Sequence, residues 1–170
     1  MNSTIKISIG IINPTHIKSY LVYRNKSYYT EDMLVSTRGR YALRIVLELS
    51  SRKSFERVSL AELSEKQSLS LKYAESIVAM LVKAGLLDGQ RGKTGGYRLE
   101  KPASEIMVGD ILRLTEESLA PVSCLECAEN QCAKSSDCKT LPMWEKLNSL
   151  ISDYLFSVSI EDLNNGNVDK

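Results

Sequence analysis

From residue 36 onward, apolar positions fall into helical registers separated by short polar intervals. In 36–51 (STRGRYALRIVLELSS), Tyr41, Ala42, Ile45, Val46 and Leu49 recur at i, i+3, i+4 spacing, which predicts a first helix with one buried face. A polar connector, 52–57, follows. Ser59-Leu60-Ala61-Glu62 reads as a Ser-x-x-Glu capping box opening a short second helix. Ser70 stands where a third helix needs an N-cap, and Gly85 where a left-handed residue would end it. Between them Leu71, Ala74, Ile77, Val78, Leu81 and Val82 form an apolar stripe, and Lys72, Tyr73, Glu75, Ser76 and Lys83 fall largely outside it. Leu86-Leu87 and Tyr97-Arg98-Leu99 are strand candidates, and 88–96 (DGQRGKTGG) is expected to be a hairpin tip carrying Arg91 and Lys93. A turn at 101–105 precedes a short packing helix at 108–116 (VGDILRLTE). The pattern closes with a long helix at 141–157 (LPMWEKLNSLISDYLFS), a capped turn at 159–163 and a tail at 164–170. Pro142 suits the first turn of that long helix.

The predicted fold class is mainly α with a small β wing, a winged helix-turn-helix followed by a long C-terminal helix. A helix that buries one side and offers donors and acceptors on the other can read base edges in a major groove. A basic hairpin tip beside it can reach phosphates or the minor groove. The plainer alternative is an αα-hairpin with a flexible loop and solvated charges. Arg38, Arg40 and Arg44 gather at the start of the first helix. Cations there oppose the helix dipole, so an external anion such as a DNA phosphate would compensate them; ordinary solvated arginines are the alternative.

Net charge is only +1, but its distribution is uneven. Residues 33–100 hold 12 Lys+Arg against 7 Asp+Glu, whereas residues 101–170 hold 6 against 12. A basic module followed by an acidic one suits a DNA-binding part that carries a regulatory part. No stretch approaches the roughly 18–20 apolar residues of a membrane span, and the apolar patch at 5–12 has no basic leader or cleavage site, so export is not expected and the location is expected to be cytoplasmic. Residues 1–32 hold the one histidine, His16, and four of the eight tyrosines without a clean period. They are expected to be a dispensable extension, with a β-prone arm as the other reading. The expected organisation is 1–32 extension, 33–104 DNA-binding domain, 105–163 sensor and dimerisation region, and 164–170 tail.

All four cysteines lie within 124–138, spaced C-x2-C-x4-C-x5-C at Cys124, Cys127, Cys132 and Cys138. Thiols packed into one polar loop are not dispersed core residues, and a cytoplasmic setting disfavours disulfides. Closely spaced thiolates can wrap a soft metal centre with little loop-closure cost. Iron–sulfur clusters, [2Fe-2S] or [4Fe-4S], tolerate such spacing. Zinc is the rival, although only Cys124/Cys127 makes a C-x2-C knuckle; a thiol/disulfide sensor with no cofactor is the third reading. In 141–157, Met143, Leu147, Leu150, Ile151, Tyr154 and Leu155 make a broad stripe with Trp144 beside it. Burial against a second copy is the expected solution, and packing back on its own chain the alternative. No acid–base dyad, nucleophile–base pair or phosphate loop supports catalysis, and an electron carrier would have no use for a basic wing.

Taken together, STRGRYALR, the 59–87 segment, RGKTGGYRL, VGDILRLTE and the C-x4-C-x5-C run followed by LPMWEKL resemble the bacterial Rrf2 family of winged-helix regulators, on the side of its IscR-like branch. The resemblance covers residues 33–163. It implies a homodimer that binds double-stranded operator DNA and controls transcription, often as a repressor, of iron–sulfur assembly, sulfur metabolism or nitrosative-stress genes. It places Ser70, Lys72, Tyr73, Glu75 and Ser76 on the base-reading helix and makes Arg91 the wing arginine. It also implies a cluster held by three cysteines of a C-x5-C-x5-C loop plus one other ligand. Cys127, Cys132 and Cys138 match the three, with one residue fewer between the first two, and Cys124 is additional. Leu141 stands where some members have a ligating histidine, and Arg40 where others have an aspartate. The expectation for this chain is therefore all-thiolate ligation, with Cys124 in the fourth place. A cluster-free or zinc-stapled regulator of sulfur metabolism is the alternative.

Overall fold

A computed structural model describes residues 35–169, apart from 54–55, 93, 128–129 and 131. The extension 1–32, with His16, lies outside the described residues, as does Lys93. In chain order the elements are α1 (Thr37–Ser50), α2 (Leu60–Gln67), α3 (Leu71–Lys83), β1 (Leu87–Gln90), β2 (Gly96–Leu99), a 3-10 turn (Ala103–Glu105), α4 (Val108–Thr115), 3-10 turns at Ser123–Leu125 and Ser135–Asp137, α5 (Leu141–Ser157) and α6 (Ile160–Asn165).

Local chemistry sets the helix boundaries. Ser36, Ser59 and Ser70 cap α1, α2 and α3, each hydroxyl accepting from the amide three residues on, which satisfies an otherwise orphaned donor. The Ser59 box is only half formed, because the Glu62 carboxylate turns instead to Arg52 at 2.6 Å. Between α2 and α3 the chain reverses through Ser68, in the left-handed region at φ 54°. Ser64 locks that turn, its hydroxyl donating to the Leu69 carbonyl at 2.7 Å while the Leu69 amide donates to the Ser64 carbonyl at 2.9 Å. Gly85, at φ 71°, follows the end of α3 as expected.

The main core gathers Ile45 and Val46 of α1, Leu63 of α2, Ile77, Val78 and Leu81 of α3, and Val58, Leu87, Ile106, Ile111 and Ile160. A smaller cluster of Val108, Leu112 and Val158 lies under α4, flanked by half-buried Leu155 of α5. Gly109 of α4 admits the Phe156 ring of α5, since a Cβ there would lie 2.6 Å from Phe156 Cζ. Leu71 departs from the expected apolar stripe: as the first residue of α3 it projects past the core and is 54% exposed.

The wing also departs from expectation. β1 runs on to Gln90, so Asp88 lies in the ladder opposite Arg98 rather than in the tip. Gly89 stays in the strand, and the Tyr97 ring opposite would lie 3.0 Å from a Cβ placed there. The sequence also hid a third strand-like contact: Val58 and Tyr97 exchange both backbone hydrogen bonds at 2.9 Å. Gly96, at φ 149°, permits that approach, since a Cβ would meet the Val58 carbonyl oxygen at 2.6 Å.

Candidate nucleic-acid interface and cysteine loop

The polar edge of α3 is built by its first two turns. Ser70, Lys72, Glu75 and Ser76 are exposed, opposite the buried Ala74, Ile77 and Val78. Ser70 accepts from the Tyr73 amide at 3.3 Å, which leaves its hydroxyl proton free to donate outward. Ser76 turns its hydroxyl back to the Tyr73 carbonyl at 2.8 Å and keeps acceptor capacity. Tyr73 differs from its expected place on this edge. It is half-buried, and its ring meets Tyr41 of α1 edge to face, centroids 6.2 Å apart. Arg44 lies 5.4 Å over the Tyr41 ring, so this stack braces α3 against α1.

Charges in the head are sorted. Arg52 pairs with Glu48, Glu56 and Glu62, and Lys66 with Glu48 at 2.6 Å. The Lys66 hydrogen bond is the first cause holding the Glu48 carboxyl below its ordinary range. Arg57 bonds the Asp88 carboxylate and donates to the Asp88 and Gly96 carbonyls at 3.2 Å, while Arg98 holds the same carboxylate at 3.0 Å. Arg57 above all, then Arg98, depresses the Asp88 pKa. This brace clamps the base of the wing. Arg38, Arg40, Lys72 and Arg91 are exposed and enter none of the ion pairs among the described residues. Arg40 donates only to Thr37 Oγ1 at 3.2 Å. The framework cations Arg52, Arg57, Lys66 and Arg98 are thus taken up by internal carboxylates, whereas Arg38 and Arg40 on α1, Lys72 on α3 and Arg91 beyond β1 are not. Sequence reasoning had no signal for the Arg57–Asp88–Arg98 brace, whose members come together only through strand register.

The cysteine loop is reached through Glu116, the residue after α4. Its carboxylate accepts from the Ser36 hydroxyl at 2.9 Å, from the Ser36 amide at 3.3 Å and from Thr115 Oγ1 at 2.9 Å. It sits at the positive end of α1, and buried Gly39 makes room, since a Cβ there would lie 2.3 Å from Glu116 Oε1. Beyond it, Cys124 is half-buried in the turn Ser123–Leu125, and Cys127 is exposed. Cys132 is half-buried, its amide donating to Asn130 Oδ1 at 2.9 Å. Cys138 closes the second turn, its sulfur 3.4 Å from Thr140 Oγ1, and that hydroxyl lowers the thiol pKa from its ordinary value. All four are free thiols. They do not converge: among the described residues no three His, Cys, Asp or Glu side chains are grouped to hold a metal ion. The expected four-thiolate site is thus not preformed. The loop consists of separate 3-10 turns, and clustered thiolates repel one another unless a cation lies between them. The donor chemistry still fits a soft centre, because all the thiols of the chain share this one segment.

On α5 no residue is buried, and Met143, Leu147, Leu150 and Tyr154 are 54%, 37%, 52% and 45% exposed, along one face at i, i+4, i+7, i+11.

A family model described as "Rrf2: Iron-dependent Transcriptional regulator" matches residues 35–166. This chain belongs to the Rrf2 family. Among its curated Rrf2 relatives is a provisionally named HTH-type transcriptional regulator of Neisseria meningitidis serogroup A, 38% identical over 138 residues, covering 79% of this chain and 92% of that one. The HTH-type transcriptional regulator IscR of Vibrio atlanticus is 36% identical over 131 residues, 77% of this chain and 75% of that protein. Of solved Rrf2 folds, CymR of B. subtilis, titled the global cysteine regulator, aligns with TM-score 0.63 at 31% identity over 76% of this chain and 95% of its own. IscR of T. potens aligns with TM-score 0.60 at 31% identity, 79% and 88% covered. The chain is a transcriptional regulator of the winged-helix Rrf2 type and not an enzyme. No helix among the described residues is long and apolar enough to cross a membrane.

Proposed function

We propose that this chain is a homodimeric, cytoplasmic, operator-binding regulator of the IscR-like kind, most simply a repressor, whose DNA affinity is set by an iron–sulfur cluster held in the 124–138 loop. The observation that carries the DNA reading is the solvent-facing edge of Ser70, Lys72, Glu75 and Ser76 on a helix whose other face is fully buried. Docked in a major groove, Lys72 donates to phosphate or guanine, and Glu75 accepts from cytosine N4 while repelling misplaced phosphate. Arg91, on a braced wing, reaches the backbone or the narrow groove beside it, and Lys93 belongs to the same tip. Arg38 and Arg40, in the first turn of α1, neutralise phosphates.

The exposed α5 stripe supports the dimer, since four large apolar side chains along one helix face have a matching partner in a second copy. In that dimer the two heads sit on two half-sites. The cluster, when bound, supplies sensitivity to oxidant, nitric oxide or iron supply. Cys124, Cys127, Cys132 and Cys138 are the residues that would hold it, because Leu141 and Arg40 offer no donor at the positions of the family's other ligands. Glu116 would carry the loop's state to the head, joined as it is to Ser36 at the start of α1. Genes of iron–sulfur assembly, sulfur metabolism or redox and nitrosative stress are the expected targets.

The C-x2-C pair Cys124/Cys127 is the feature on which a second reading rests, a cluster-free or zinc-stapled regulator of sulfur metabolism switched by a partner protein or a metabolite. Metal analysis of anaerobically purified full chain and of Cys132→Ser separates the two. The proposal expects iron and sulfide in the parent chain and their loss in the variant, with the dimer kept. Zinc alone, or iron retained in full by Cys132→Ser, would overturn it.

A further inference from the structure

The polar edge of α3 carries one apolar interruption. Leu71, its first residue, is 54% exposed, whereas Ala74, Ile77, Val78 and Leu81 of the same helix are fully buried. Its neighbours along the edge, Ser70, Lys72 and Glu75, are exposed polar groups. Of the other large apolar side chains left in water among the described residues, Met143, Leu147, Leu150 and Tyr154 share the α5 face, Leu114 lies on α4 and Val35 precedes α1. Leu71 belongs to no such face: it is a single apolar island at the end of the helix that meets base edges first.

Four residues along a helix bring side chains to the same side, so Leu71 and Glu75 lie one above the other. The major groove offers donors and acceptors on every base pair, but its one apolar group is the C5-methyl of thymine. A leucine held at the groove by Lys72 and Ser70 therefore gains only where such a methyl lies beneath it. It loses hydration without return where a cytosine stands in its place. We propose that Leu71 is a specificity residue that reads a thymine methyl in each half-site, next to the base accepted by Glu75. The inference rests on the DNA reading above and adds to it a base preference that hydrogen bonding does not supply.

Nuclease footprinting of the full chain on the region upstream of its own gene first locates the protected half-sites. Each thymine within them is then replaced singly by deoxyuridine, which removes the methyl and nothing else, and affinities are measured for the parent chain and for Leu71→Ala. Leu71 is half in solvent, so the variant keeps the core intact, and an unchanged melting temperature checks this. At one thymine per half-site, the parent should lose about three- to fivefold in affinity, as expected for one buried methyl. Leu71→Ala should bind thymine and uracil versions of that site equally. Indifference of the parent to every uracil, or a uracil penalty that persists in Leu71→Ala, would overturn the assignment while leaving DNA binding itself intact. Absence of any footprint would overturn the DNA reading and this inference with it.

Discussion

Single side chains divide the head into a frame and a working edge. Asp88 is the pivot of the frame: with its carboxylate shared by Arg57 and Arg98, the hairpin base is fixed and Arg91 projects from a defined point. Arg91→Ala should weaken operator binding by about 1–3 kcal/mol, measured by gel shift at fixed salt, if the side chain reads a base or a narrow groove; unchanged affinity would reduce the tip to a solvated loop. Residue roles were unevenly legible in the sequence. The caps Ser59 and Ser70 and the terminator Gly85 stood out, because their chemistry is local. Tyr73 did not, because its helical position is polar-side while its ring turns back onto Tyr41, a contact formed only when α1 and α3 pack. Asp88 read as a tip residue because nothing nearby in sequence announces Arg57 as its partner.

Elements are joined by devices of the same non-local kind. α1 and α4 meet where Glu116 caps Ser36, and that junction depends on the missing side chain of Gly39. Gly39→Ala would push a methyl into the carboxylate and toward Leu112. It should cost about 1–3 kcal/mol of stability in denaturant unfolding despite alanine's better helix propensity. A neutral or stabilising result would show that the junction yields freely. The helical periodicity placed α1, α3, α4 and α5 within a few residues, since burial of one face writes itself into the spacing, and the Ser59 cap marked the start of α2. In the sequence reading the first strand ended at Leu87 and the second began at Tyr97, whereas the ladder takes in Gly89, beside the Tyr97 ring, and Gly96, which admits Val58. The cysteine loop was legible as chemistry and not as geometry: thiol spacing reports donors, whereas convergence depends on what they bind.

At the scale of the whole molecule, α5 is unfinished in one copy. Its apolar face, Met143 to Tyr154, is the predicted seam between two chains. Leu150→Glu should convert the protein to monomer in light scattering and weaken operator binding steeply, because each head alone contacts half the site. A dimer that survives the substitution would place the seam elsewhere. The central claim is that the state of the 124–138 loop governs how the paired heads grip DNA. Its most direct test is a strictly anaerobic gel-shift series on the region upstream of the gene. The same preparation is titrated before and after removal of iron and sulfide. The account predicts iron and sulfide in the starting protein and an operator affinity that changes by at least about tenfold, roughly 1.4 kcal/mol, on their removal. Protein that carries neither, or whose affinity is the same with and without them, would contradict it.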